Sequence, residues 1–328
     1  MAVARAELFD VSTPIETEKV PGKIVYLLPG QGGQKIGMGN ALYNNSEAAR
    51  RVFDYLELIK PGLLTLMSDG TKEKLDDTAN AQPAIVGVSL ATYFAFLEVN
   101  PLLHQTKQPL AFLGHSAGQV SAMAAAGVVD LETALRIAVE RGRLMKEVGE
   151  KDENRGGMLA LLGATPKLAR LLCSTTSKRL GQEGIWIAND NTDGQLVLSG
   201  KEEHIANAMA HAQELGIKKT IQLAVSIAAH CPLMKEMQLR FTDYLSRIPF
   251  RKPSFPIICN TTAEATLDPD AMKADLINAS TSGVRFREAL ETARRIGATS
   301  FVEIGEGPLS GFAQRAMQDS RQFQISAG

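Results

Sequence analysis

The chain has 328 residues, of which 45% are hydrophobic and 22% charged, enough for a large core in one large domain or two. A net charge of −1 gives no general attraction to nucleic acid or to an anionic membrane, and no uninterrupted apolar run of roughly 18 residues is present to cross one. The three widely spaced cysteines, Cys173, Cys231 and Cys259, read as reduced thiols of a cytoplasmic protein. No zinc-ligand cluster or P-loop is visible.

Residues 1–22 lack the apolar core of a signal peptide and read as an N-terminal tail. The first buried strand is Lys23 to Leu28, and it ends in a loop, Pro29 to Gln34, containing Gly30, Gly32 and Gly33. Backbone N–H groups in such a loop can turn toward a ligand or simply toward another loop. The spacing fits neither a dinucleotide fingerprint nor a Walker loop. Helices are predicted over Glu47 to Ile59 and Pro83 to Val99, the second capped from Thr78 or Asn80.

A short apolar run, Leu110 to Leu113, then leads directly into Gly114-His115-Ser116-Ala117-Gly118 and a helix of small residues. The pentapeptide alone also suits a plain glycine-rich connection. Between a buried strand and a tightly packed helix it reads as a nucleophile elbow, with the Ser116 hydroxyl held at a helix N-terminus.

The next helix opens at Asp130 as N-cap and runs from Leu131 to about Val148. At about 100° per residue, Ala134, Ala138, Arg141, Met145 and Val148 fall on one stripe. Arg136–Glu140 and Arg143–Glu147 read as i,i+4 pairs on the opposite face. Arg141 therefore lies in the middle of the buried face, where a guanidinium is costly unless an anion meets it. A structural salt bridge, a side chain that snorkels past the helix edge, or a bidentate clamp for a substrate carboxylate would each meet that demand.

From Gly156 to Gln222 the predicted order is βαββαβ, that of a ferredoxin-like subdomain. Placed at 154–223, it interrupts a larger α/β domain made of 23–153 and 224–328. His204 and His211, on its second helix, read as surface residues. His230 follows at a strand end, before a turn marked by Pro232, and is well placed for a cleft. A strand at Phe255 to Asn260, a polar stretch from Asn278 to Phe286 and a last strand, Ser300 to Ile304, complete the chain.

Taken together, LLPGQGGQKIGMG, GHSAG, RGRLM, ANDNTDGQLVLSG, VSIAAHCPLM, GVRF and FVEIGEGPLSG resemble the malonyl-CoA:acyl-carrier-protein transacylases and the acyltransferase domains of polyketide synthases. The resemblance runs from about Ile24 to Arg315. It implies an α/β-hydrolase-like domain with a parallel sheet and an inserted ferredoxin-like subdomain. It further implies Ser116 as nucleophile, His230 as general base, and the backbone N–H groups of Gln31 and Ala117 as oxyanion hole. Arg141 becomes the carboxylate clamp with His115 assisting, and Met145 and Ala229 contact substrate. The implied substrates are malonyl-CoA and the phosphopantetheine thiol of an acyl carrier protein, with no metal or redox cofactor, no nucleic acid and no membrane. His230 is oriented in this family by a backbone carbonyl, here near Asn278 and Ala279, where the family often has Gln.

The chain also departs from the family pattern. Gln119 replaces the usual Glu after GHSxG, and Asp193 and Glu306 stand where Pro is frequent. Ala228 and Ala229 are smaller than usual, which leaves open a trans-acting polyketide acyltransferase for an α-substituted malonyl unit. An acyl hydrolase that clears carrier proteins also stays open.

Overall fold

The computed structural model describes residues 7–10, 22–101, 103, 107–225 and 227–326. Two sheets organise them. The larger contains β1 (Glu7–Asp10), β2 (Ile24–Leu28), β3 (Ala111–Gly114), β8 (Ile257–Ile258), β9 (Ala265–Thr266), β10 (Ser300–Ile304) and β11 (Arg321–Ser326). Their order is β1-β11-β10-β2-β3-β8-β9, parallel from β1 through β8 and antiparallel only between β8 and β9. The smaller sheet, β5-β6-β4-β7, is antiparallel throughout: β4 (Gly156–Ala164), β5 (Ile185–Thr192), β6 (Gly194–Lys201) and β7 (Lys219–Gln222).

Both faces of the large sheet are covered, so its central strands are buried on both sides. Tyr26 and Leu28 of β2 and Phe112 of β3 enter one core; Val25, Leu27, Ala111 and Leu113 enter the other. The first core is closed by α1 (Asn40–Asn45), α2 (Glu47–Ile59), α3 (Leu63–Asp69), α4 (Lys72–Asp76), α5 (Thr78–Val99), α6 (Gly118–Ala125) and α7 (Leu131–Gly149). In the small subdomain, α8 (Pro166–Leu180) and α9 (Glu202–His211) pack on one face of its sheet. Helices α10 (Lys235–Ser246), α11 (Pro269–Asn278), α12 (Phe286–Arg295) and α13 (Leu309–Ala316) complete the large domain. The buried Glu303 carboxylate starts α13 by accepting from the N–H groups of Leu309 and Ser310 and from Ser310 Oγ. Burial pushes its pKa above the usual carboxylate range, against those three hydrogen bonds.

Several expectations need correction. The segment 1–22 is not only a tail: Glu7–Asp10 adds an edge strand to β11, while residues 1–6 and 11–21 lie outside the described residues. Helix α5 begins at Thr78, with Asp77 accepting from Ala79 N–H as its cap. Pro83, read as a start signal, sits inside the helix. By length and composition α5 is the one described helix able to span a bilayer, yet it packs on α2, α6 and α7 as the central core helix. Ser300–Ile304 is not the last strand, since β11 follows it. The strand read at Phe255 to Asn260 is reduced to Ile257–Ile258. Arg136 pairs back to Glu132, not forward to Glu140. His204 is buried, its Nε2 3.1 Å from the Gln182 carbonyl oxygen.

The elbow depends on one close approach. A Cβ at Gly118 would lie 2.1 Å from Leu28 O and 2.6 Å from Pro29 O, both backbone atoms that cannot swing aside. Gly118→Ala is therefore expected to lower stability by about 3 kcal/mol, read as a lower urea midpoint at unchanged m.

Candidate active site

Ser116 sits between β3 and α6 with φ of 52°, in the left-handed region that non-glycine residues rarely adopt. Its N–H donates to Asn260 Oδ1 at 2.8 Å. His230 reaches it from the segment after β7 and is itself at φ 61°. The His230 Nε2 is 2.8 Å from Ser116 Oγ, and its Nδ1 is 2.5 Å from Ala279 O. A carbonyl only accepts, so Nδ1 carries the proton and Nε2 presents a lone pair to the serine hydroxyl. The orienting contact is thus a backbone carbonyl, and it survives the replacement of the family's frequent Gln.

Arg141, in the middle of α7, is 1% exposed. Nη1 donates to Gln82 Oε1 at 2.6 Å, Nη2 lies 3.5 Å from Ser116 Oγ, and Nε has no hydrogen-bond partner. Among the described residues no carboxylate pairs with it, so the salt-bridge alternative is not the one the fold uses. Burial lowers its pKa to about 10, which still leaves it charged at neutral pH. The same burial, followed by the Arg141 charge, lowers the His230 pKa to about 3. The Ala279 contact opposes that shift, and the His115 charge reinforces it. His115 is also held below the usual imidazole range, by desolvation first, against its contact with Asn191 Oδ1 at 2.8 Å. Its ring meets Phe286 edge-on.

Gln31, His115, Ser116, Met145, Ala229 and His230 line one cavity of about 360 Å³ between the two subdomains. Arg141 lies against its floor through Gln82 and Ser116. Ala117 is the residue after Ser116, at the N-cap of α6. Among the described residues the N–H groups of Gln31 and Ala117 meet no protein acceptor. The side chain of Gln31 is tethered by donation to Asp76 O and Thr78 Oγ1, each at 3.4 Å.

Three residues at the site escape sequence reading. Gln82 is one of two amides, with Asn80, in the most apolar helix, and that oddity was the available signal. Its Nε2 lies 3.1 Å from Met145 Sδ. Asn191 approaches His115 from the small subdomain, and Asn260 approaches Ser116 across 144 positions. Asn191 falls inside the motif ANDNTDGQLVLSG without a role assigned to it there, and Asn260 carries no local signal. Chemically, the arrangement is an activated hydroxyl, a neutral base, two free N–H donors and a buried cation without an anion, which suits transfer of a carboxylate-bearing acyl group through the hydroxyl.

The acyl transferase domain model matches residues 25–322. The malonyl CoA-acyl carrier protein transacylase of Bacillus subtilis is 35% identical over 308 residues, covering 93% of each chain. The enzyme of that name from Staphylococcus aureus is 31% identical over 305 residues, covering 92% of this chain and 95% of its own. The acyl-carrier-protein-S-malonyltransferase structure from Bartonella henselae superposes with a TM-score of 0.86 at 31% identity, covering 94% of this chain and 96% of that one. A malonyl-transacylase in complex with its type II PKS acyl-carrier protein gives 0.82 at 28% identity, covering 93% and 95%. With its elbow serine and histidine in one cleft and a buried arginine against the serine, the chain belongs to the acyl transferase domain family.

Proposed function

We propose that this protein moves a malonyl group from malonyl-CoA, through an ester on Ser116, to the phosphopantetheine thiol of an acyl carrier protein. One observation carries the choice of acyl group: the buried guanidinium of Arg141, with a free Nε and no carboxylate partner among the described residues, lies beside the Ser116–His230 pair. A malonyl carboxylate supplies the missing anion through a bidentate contact. Similarity to named malonyl transacylases over most of the chain supports the same reading.

His230 Nε2 takes the Ser116 proton as Oγ attacks the thioester carbonyl. The N–H groups of Gln31 and Ala117 hold the tetrahedral oxyanion, at roughly 3–4 kcal/mol per donor. The C–S bond breaks, and CoA leaves as the thiol with the proton from His230. The carrier thiol then gives its proton to His230 and attacks the ester carbonyl. Ser116 leaves and recovers that proton, completing a ping-pong cycle with no cofactor. His115, its pKa held below the usual imidazole range by burial, and Met145 and Ala229 shape the acyl pocket. A hydrolase clearing carrier proteins has no need of Arg141. The three unpaired thiols support a reducing compartment, the cytoplasm, where fatty acid or polyketide synthesis would use the product.

The test is intact-protein mass spectrometry after incubation with malonyl-, methylmalonyl- and acetyl-CoA. The expected result is a malonyl adduct that maps to the peptide bearing Ser116 and disappears when a carrier protein is added. A dominant methylmalonyl adduct would assign an α-substituted unit. Release of free acid with no transfer would replace the transferase by the hydrolase.

A further inference from the structure

Asn260 lies just past β8, where the ladder that supports β3 has ended. Its side chain takes over. Oδ1 accepts from Ser116 N–H at 2.8 Å, and Nδ2 donates to Gly114 O at 2.7 Å and to Gln119 Oε1 at 2.9 Å. Its own N–H donates to Asp275 Oδ2 at 2.8 Å, and its carbonyl accepts from Arg285 N–H at 2.8 Å. Every polar group of this buried asparagine is therefore used, and two of them grip the strained elbow on either side of His115.

Asp275 closes the arrangement. Its other oxygen accepts from Thr261 N–H and Thr261 Oγ1 at 2.7 and 2.6 Å, and Gln119 Nε2 donates to Oδ2 at 3.3 Å. Asp275 is on α11, one turn before Ala279, whose carbonyl holds His230 Nδ1. The end of one helix thus fixes both reacting side chains: Ser116 through Asp275 and Asn260, His230 through Ala279.

We infer that Asn260 and Asp275 are positioning residues that set the Ser116–His230 distance and choose the oxyanion donors. By occupying the Ser116 N–H, Asn260 leaves the Ala117 N–H, with that of Gln31, to face the oxyanion. Neither Asn260 nor Asp275 lines the cavity, so both act through other groups. The inference rests on Ser116 as the nucleophile of the proposed reaction.

The test compares Asn260→Ala, Asp275→Asn and the double variant with wild type, using two readouts. The first is the rate at which a fluorophosphonate labels Ser116, in which Oγ displaces fluoride at phosphorus and needs no thioester. The second is steady-state malonyl transfer, with rates scaled to titrated sites. Labelling and kcat are expected to fall about 10²-fold in each single variant, with KM for malonyl-CoA within about threefold. The double variant is expected to lose no more than Asn260→Ala alone, because both act through one link. If Asn260→Ala does not fold, Gln119→Ala removes one of the bonds that hold the same asparagine and is expected to slow labelling about tenfold. Labelling at the wild-type rate in a folded variant, additive losses, or a fall confined to KM would each overturn the inference. A wild type that resists the phosphonate would overturn it too, there being no poised nucleophile to position. A wild type labelled at Ser116 but inert to every acyl-CoA would instead sink the transferase reading alone.

Discussion

His230→Ala is expected to lower kcat/KM for malonyl transfer by roughly 10⁴-fold while leaving the protein folded. Without Nε2 at 2.8 Å nothing else in the site accepts the Ser116 proton, since Arg141 is a donor and His115 is tied to Asn191. The same histidine fixes the pH dependence. Its pKa is lowered to about 3, so the basic form persists through the mildly acidic range. The acid limb of kcat/KM should therefore lie far below the ordinary imidazole value. Burial is the first cause of that shift and the Arg141 charge the second. Pairing Arg141 with a malonyl carboxylate removes the second, so the acid limb of kcat should lie at higher pH than that of kcat/KM. Stability follows the same sign. Between the lowered folded value and the ordinary unfolded one, the unfolded chain binds more protons. Stability from this group is then complete above the unfolded value and is lost as pH falls toward about 3. Rate profiles and melts across this range check both statements.

Arg141→Ala is expected to lower kcat/KM for malonyl-CoA about 10³-fold, near 4 kcal/mol, because a buried carboxylate is left without its partner. Acetyl-CoA has no carboxylate to strand. Its rate in the wild type is held down by a guanidinium that stays unpaired, and in the variant that penalty disappears. The malonyl-to-acetyl ratio should therefore collapse from both sides. Arg141→Lys is expected to recover only part of it, because one ammonium does not reproduce the planar fork. Competition between the two thioesters, read by mass spectrometry of the acyl-enzyme, gives the ratio directly. A variant that kept the wild-type ratio would remove Arg141 from substrate recognition.

What the sequence made legible was short-range. Ser116 was marked by the strand before it and the small-residue helix after it. Arg141 was marked by the 3.6-residue period of a helix whose cap is Asp130, as read, its side chain accepting from Thr133 N–H. The βαββαβ order was visible because each of its elements carries its own pattern and turn. Side-chain bonds between distant segments were not visible. Asn260 acts on a residue 144 positions away with nothing near it to announce the partner, and the Ala279 carbonyl, 49 positions from His230, was placed only through the family resemblance. An edge strand was missed, and an internal strand was read too long, for a related reason. Glu7–Asp10 becomes a strand only because β11 offers it a ladder, and β8 keeps two residues because the chain then turns to deliver Asn260.

The left-handed backbone at Ser116 restricts which nucleophiles this scaffold can carry. At φ of 52° a second heavy substituent on Cβ crowds the adjoining carbonyl, and threonine brings one. Cysteine has serine's single branch and suits the same turn. The elbow thus admits a thiol in place of the hydroxyl and shuts out the secondary alcohol, so the choice of reacting atom is made by backbone shape before acidity enters.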